Sequence, residues 1–130
     1  MCLPRKTYKQ IRRGEVYTLT YEFPHEREAG ISPKERPVLV ISDDKHNLNI
    51  YYPTVIVAPI STLKTTTKKY DTDLWVTVEE SGSFEDSRIL LAQIQTYLKD
   101  ELFSLITTLS EDIMEKVDAI LALNLGIIQL

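Results

Sequence analysis

The chain has 130 residues and a formal net charge of −4, from 15 Lys and Arg against 19 Asp and Glu. This length fits one domain with a sizeable core, and the 43% hydrophobic content argues against wholesale disorder. The negative charge excludes nucleic-acid binding by bulk positive charge, but basic residues collect at Arg5–Arg13 and Lys64–Lys69, so a local basic groove remains possible.

The first half of the chain predicts three strands. Residues 14–23 alternate between apolar and polar positions as a strand does, and residues 24–35 hold two prolines and a glycine, as expected of a long loop. An unbroken apolar run predicts a strand at Pro37–Ile41 that is buried on both faces, followed by a polar turn. Residues 54–61 predict another buried strand, which we expect to stop near Pro59 because proline cannot donate to a ladder.

The second half predicts further short strands. A polar connector at residues 63–72 precedes an alternating strand at 74–79. After a predicted turn at residues 81–87, residues 88–98 begin with a strand pattern and end with polar residues. Residues 99–109 fit either a short helical turn followed by a strand, or one helix.

A helix closes the chain. Ser110 is a good N-cap, and the acidic residues after it suit the positive end of a helix. The apolar stripe consists of Ile113, Val117, Ile120 and Leu121, and Gly126 can end the helix. Five or six short strands with one helix predict a mainly β (α+β) domain, built as a strongly bent sheet or small barrel.

Several functional motifs are missing from the sequence. It has four glycines but no Gly-rich phosphate loop, and no Cys/His cluster with metal-ligand spacing. The lone cysteine, Cys2, is interpreted as incidental. No apolar run reaches the ~20 residues that span a bilayer. We therefore expect a soluble cytoplasmic protein without metal or cofactor.

Five stretches, taken in order, resemble the MazF/PemK family of toxin endoribonucleases from type II toxin–antitoxin systems. They are RRGEVYTLTYEF, ERPVLVISDDKHN, TVIVAPIST, DSRILLAQIQTYLKDEL and LSEDIMEKVDAILALNLGI. The resemblance covers about residues 12–127. We therefore expect a single domain at 1–130, with its core at 12–127 and a basic N-terminal extension at 1–11.

The resemblance implies a small SH3-like, CcdB/PemK-like barrel sheet that works as a homodimer, with a helical turn and then a strand at 99–109. It also implies metal-independent cleavage of single-stranded RNA at a short preferred sequence. The 2′-hydroxyl would attack and leave 2′,3′-cyclic phosphate and 5′-hydroxyl ends. A cognate antitoxin is the implied protein partner, and we expect an extended segment of it to block the RNA site.

Arg36 precedes the buried strand and is followed by the rigid Pro37. Its planar guanidinium can contact two phosphate oxygens at once. From the residues alone, a surface ion pair with Glu35 or Glu26 is favoured over a catalytic role. The resemblance implies that Arg36 is catalytic.

Ser61 falls where family members usually carry a catalytic threonine. Its hydroxyl can hydrogen-bond the scissile phosphate, and the neighbouring threonine can substitute after a small change of register. Histidine suits proton transfer near neutral pH, lysine holds phosphate, and glutamine can contact base edges. The further candidates for catalysis or RNA binding are His25, Glu26, Thr62, Lys64, Gln93 and Gln95.

Two positions depart from the family pattern. Family members often carry an acidic residue at Ala92 and an arginine at Gln95, so a charge pair or catalytic helper is lost. Two alternatives therefore stay open. One is a non-catalytic binder, similar to the CcdB toxins that block DNA gyrase through protein contacts, and the other is a catalytically weakened family member.

Overall fold

The computed structural model describes residues 5–129, so Cys2 lies outside the described residues. Within them, seven strands and a long C-terminal helix are joined by three short helices and one 3₁₀ turn, at Lys99–Glu101. In chain order the elements are β1 (Glu15–Tyr21), α1 (Pro24–Glu28), β2 (Lys34–Val40), α2 (Asp44–Asn47), β3 (Thr54–Thr62), β4 (Leu74–Val76), α3 (Val78–Ser81), β5 (Ser87–Ile89), β6 (Gln95–Leu98), β7 (Leu105–Thr108) and α4 (Glu111–Asn124).

The strands form one strongly bent antiparallel sheet in the order β4-β5-β3-β2-β1-β7, and β6 pairs with β3. The long strand β3 makes the bend: Thr54–Val57 pair with β6, whereas Ile60–Thr62 pair with β5. The result is a half-barrel with a C-terminal helix, which confirms the predicted fold class.

The apolar run of β2 is buried on both faces, as predicted. Val38 and Val40 lie in one core cluster and Leu39 in the other, and all three are fully buried. Burying alternate residues in two clusters requires the continuous apolar pattern that the sequence shows. This double burial fixes the position of the residues that immediately precede the run.

The C-terminal helix begins and ends as predicted. The Ser110 hydroxyl accepts a hydrogen bond from the Ile113 backbone N–H at 3.3 Å, and Gly126 adopts the left-handed φ of +73° just after the helix. Ile113 and Val117 pack into the core cluster that contains Leu39. The helix therefore closes the half-barrel on the side of that cluster.

Replacing the helix N-cap, Ser110→Ala, should lower the free energy of unfolding by about 1 kcal/mol, because the Ile113 N–H loses its acceptor. Urea denaturation measures the change. Ser104→Ala is the matched control, since Ser104 is an exposed serine outside the helices and strands. Equal stability losses in both variants would contradict the capping role.

Three predictions about strand ends were wrong. β3 does not stop near Pro59. Pro59 is the last residue of β3 that pairs with β2, and Ile60 is the first that pairs with β5. The proline, which has no N–H to donate, therefore lies at the point where β3 changes its partner strand. The strand at 74–79 ends at Val76, because the Thr77 hydroxyl caps α3 by accepting from the Glu80 N–H at 3.2 Å. β2 begins at Lys34 rather than at the proline, because the preceding residues pair with β1.

Other segments differ in detail from the prediction. The loop at 24–35 contains α1, and the polar turn after β2 contains α2. The segment 88–98 divides into β5 and β6, because the Gln93 N–H donates to the Leu90 carbonyl and turns the chain. The ambiguous segment 99–109 is a 3₁₀ turn followed by β7, as the family resemblance implies.

The basic segment before β1 packs on the domain. Ile11 is fully buried in a core cluster, and the Tyr8 N–H donates to the Ile50 carbonyl at 2.6 Å. Among residues 5–129, no helix has the length and apolar character needed to cross a membrane.

Candidate active site

A cleft of about 490 Å³ opens beside the N-terminal half of β2 and the C-terminal end of β3. Helix α1 forms one wall, and β5 with the turn after it forms another. Seven of the eight predicted site residues line the cleft: His25, Glu26, Arg36, Ser61, Thr62, Lys64 and Gln93.

Arg36 is held from two sides. Its Nη2 donates to Glu26 Oε2 at 2.7 Å, and its guanidinium carbon lies 4.5 Å from the centre of the Phe23 ring. The Arg36 side chain is only 16% exposed. The ion pair with Glu26, one of the two interpretations open from the residues, is thus present. It uses one terminal nitrogen of a group with five N–H donors, so Arg36 can still bind an anion.

Glu26 lies in the first turn of α1, where its carboxylate is held at both oxygens. Oε1 accepts from the Phe23 N–H at 3.3 Å, and Oε2 accepts from Arg36. The hydrogen bond from Arg36 is the main cause that holds the pKa of Glu26 below its usual range. The carboxylate form of Glu26 is therefore stabilised by its neighbours.

His25 is positioned by the same aromatic ring as Arg36. Its imidazole stacks on Phe23 with the ring centres 5.6 Å apart and the planes 21° apart. The histidine is exposed, whereas Phe23 is buried. Phe23 therefore orders the two polar side chains on this wall of the cleft.

The hydroxyl-bearing residues lie at the end of β3. Ser61 is half-buried and Thr62 is exposed, and successive strand residues point to opposite sides of a sheet. Ser61 pairs with Arg88 of β5, so these two side chains share a face. No hydrogen bond within residues 5–129 involves Ser61 Oγ, which leaves the hydroxyl free for a ligand.

The eighth predicted site residue, Gln95, and the departing position Ala92 lie elsewhere. Gln95 is on β6, outside the cleft lining, and its Oε1 accepts from the Tyr97 hydroxyl at 3.0 Å. Ala92 lines a second cavity, of about 360 Å³, beside the end of α4.

The sequence analysis missed Arg88 and Lys34, which also line the cleft. Arg88 directly precedes the apolar run ILLA, and Arg36 precedes VLVI with Pro37 between them, so part of the signal that identified Arg36 was available for Arg88. Phe23 was missed for a different reason, since its contact with Arg36 joins two segments that only the fold brings together.

The fold and the cleft define a small half-barrel protein whose cleft brings arginine and lysine side chains together with a carboxylate and an imidazole. The family of PemK-like, MazF-like toxins of type II toxin–antitoxin systems matches residues 12–125. The chain belongs to this family, which confirms the resemblance found in the sequence.

The chain is similar to Endoribonuclease EndoA of Bacillus subtilis (strain 168), with 37% identity over 118 residues, or 91% of this chain and 97% of the relative. Among solved structures, an endoribonuclease in complex with its cognate antitoxin from a mycobacterial species superposes with a TM-score of 0.71. That match has 19% identity and covers 92% of this chain and 99% of the other.

A MazE–MazF complex from Deinococcus radiodurans superposes with a TM-score of 0.68 at 17% identity, covering 91% of this chain and 98% of the other. At these identities the two structural matches show that the fold is shared.

Proposed function

We propose that this chain is a toxin endoribonuclease that cuts single-stranded RNA at a short preferred sequence, without a metal or cofactor. The observation that carries the proposal is the meeting of Arg36, Glu26 and Ser61 in one cleft. Transfer of an RNA phosphodiester requires a proton acceptor, donors that stabilise charge on the phosphate oxygens and a proton for the leaving oxygen; Glu26, Arg36 with Ser61, and His25 of the same cleft can supply them. The name of the relative with 37% identity agrees with it.

RNA supplies its own nucleophile in this reaction. Glu26 accepts the proton of the 2′-hydroxyl as the 2′-oxygen bonds to phosphorus, and the bond from phosphorus to the 5′-oxygen breaks. His25 donates a proton to the leaving 5′-oxygen. The products are a 2′,3′-cyclic phosphate and a 5′-hydroxyl, and neither a metal nor a covalent enzyme intermediate is needed.

The remaining cleft residues bind the RNA. Arg36 stabilises the charge that develops on the non-bridging oxygens, and Ser61 donates to one of them. Thr62 and Lys64 contact the flanking backbone. Gln93 contacts a base edge, as its amide can both donate and accept, and Gln95 contacts RNA only beyond the reacting centre.

The functional unit is a homodimer of a single domain, with its core at 12–127 and a basic extension at 1–11. Several large apolar side chains are exposed in the single chain, among them Phe103 and Leu105 at the β7 edge. Exposed apolar surface often marks protein interfaces. We place the dimer in the cytoplasm, where a cognate antitoxin inhibits it by laying an extended segment across the Arg36 cleft and displacing RNA.

Incubation of the purified chain with a long unstructured RNA in EDTA tests the proposal. We expect discrete cuts at one short sequence, and loss of cutting when the nucleotide that supplies the attacking hydroxyl is 2′-deoxy. Intact RNA in the presence of correctly folded protein would contradict the nuclease. It would favour the non-catalytic binder or the weakened family member.

A further inference from the structure

Three side chains form a row across the small sheet beside the cleft. Ser61 of β3 pairs with Arg88 of β5, and Arg88 pairs with Trp75 of β4. Directly paired residues of antiparallel strands point to the same face. The row therefore runs outward from the site of cleavage, one strand spacing of about 4.8 Å at a time.

Arg88 lies in this row with unused donors. Its Nη1 lies 3.5 Å from Asp73 Oδ2, which is longer than the ~2.7–2.9 Å of a strong charge-assisted hydrogen bond. Its Nε is buried and has no partner within residues 5–129. The guanidinium is thus anchored only loosely, while the side chain lines the cleft.

Positive charge continues beyond Arg88. The Lys69 ammonium lies 5.5 Å from the centre of the Trp75 ring, and Lys64 lines the cleft together with Ser61. Asp73 is the acidic group that faces Arg88, and burial raises the pKa of its carboxyl. An anionic chain that leaves the reacting centre along this row meets cations at successive positions.

We propose that Arg88 is a second phosphate-binding residue, which holds the RNA phosphate next to the scissile one. The inference rests on the proposed function, because the row is placed relative to the cleavage site. Arg36 serves the reacting phosphate, and Arg88 binds its neighbour through its terminal nitrogens. Trp75 and Lys69 extend the same track away from the cleft.

Binding of a deoxyuridine oligonucleotide tests this subsite, because a strand without 2′-hydroxyls stays uncut whether or not the chain is a nuclease. Its Kd is measured by fluorescence anisotropy over a series of salt concentrations. Arg88→Gln should weaken binding about tenfold, as expected for loss of a charge-assisted contact. It should also reduce the steepness of the log Kd against log salt plot by about 0.7, the value for one phosphate on a single strand.

Asp73→Asn distinguishes a phosphate-binding role of Arg88 from a purely structural role in its ion pair with Asp73. If Arg88 holds phosphate, Asp73→Asn frees its guanidinium, and the oligonucleotide binds at least as tightly as to wild type. The double variant Arg88→Gln/Asp73→Asn leaves no unpaired buried carboxylate, so it serves if Arg88→Gln fails to fold, and it should bind as weakly as Arg88→Gln. Arg12→Gln removes the same charge from an exposed residue before β1, outside the cleft lining, and should leave binding nearly unchanged.

Three results would overturn the subsite: equal weakening by Arg88→Gln and Asp73→Asn, an unchanged salt dependence in Arg88→Gln, or no salt-dependent binding by wild type. The cleavage assay in EDTA reports separately on the proposed nuclease. Binding of the deoxyuridine strand through Arg88, with no cleavage of RNA, would support the phosphate subsite and contradict the proposed nuclease activity.

Discussion

Arg36→Ala should reduce the rate of RNA cleavage by about 10²–10³-fold, the usual loss when one preorganised donor to a developing oxyanion is removed. The effect should fall mainly on kcat, because the guanidinium acts on charge that appears only in the transition state. Single-turnover cleavage of a short RNA with one cut site measures it.

Two variants control this experiment. Arg12→Ala removes an exposed arginine outside the cleft and should cleave at the wild-type rate. Arg36→Lys keeps the charge but loses the planar fork and its bidentate contact, so it should recover only part of the rate. Circular dichroism and thermal unfolding check that Arg36→Ala keeps its fold without the partner of Glu26. Wild-type cleavage by a folded Arg36→Ala would show that Arg36 is only a structural cation.

Glu26→Gln should lower kcat by about 10²–10⁴-fold, the range for loss of a general base. Glutamine keeps the size of the side chain and can still accept from Arg36, so the cleft should keep its shape. Glu28→Gln, an exposed position on the same helix α1, is the matched control and should retain activity. Full activity in Glu26→Gln would show that the Glu26 carboxylate takes no part in proton transfer.

The pH dependence gives an independent readout of the same carboxylate. Because the hydrogen bond from Arg36 lowers the pKa of Glu26, the base stays deprotonated in mild acid. Cleavage should decline only as pH falls through a value below the usual glutamate range. In Arg36→Ala the pKa of Glu26 should rise, and the acid limb of the residual activity should move to higher pH. An acid limb that Arg36→Ala does not move would contradict the coupling.

Arg36 was predicted as a site residue from a local pattern together with the family resemblance. A cation directly before Pro37 and a run buried on both faces has its backbone placed by the core, whatever the rest of the chain does. Ser61, at the end of an apolar strand, was identified through the family resemblance. Arg88 shows that the local pattern was applied too narrowly, since it directly precedes the apolar run ILLA.

What the sequence could not provide is the partner of each side chain. Glu26 pairs with Arg36 because α1 folds back on β2, and residue patterns alone left Glu35 equally open.

Lys99 is fully buried, with its ammonium donating to the His46 and Asn49 carbonyls at 2.9 Å. Such a burial depends on two distant carbonyls and contradicts the usual exposure of lysine.

The measurement that tests the central claim most directly is the mass of the RNA ends produced by the wild-type chain in EDTA. Attack by the 2′-hydroxyl, with Glu26 as acceptor and Arg36 beside the phosphate, predicts a 2′,3′-cyclic phosphate on one fragment and a 5′-hydroxyl on the other. Fragments that carry a 3′-hydroxyl and a 5′-phosphate would mean that water attacked instead, and would contradict the role assigned to this cleft.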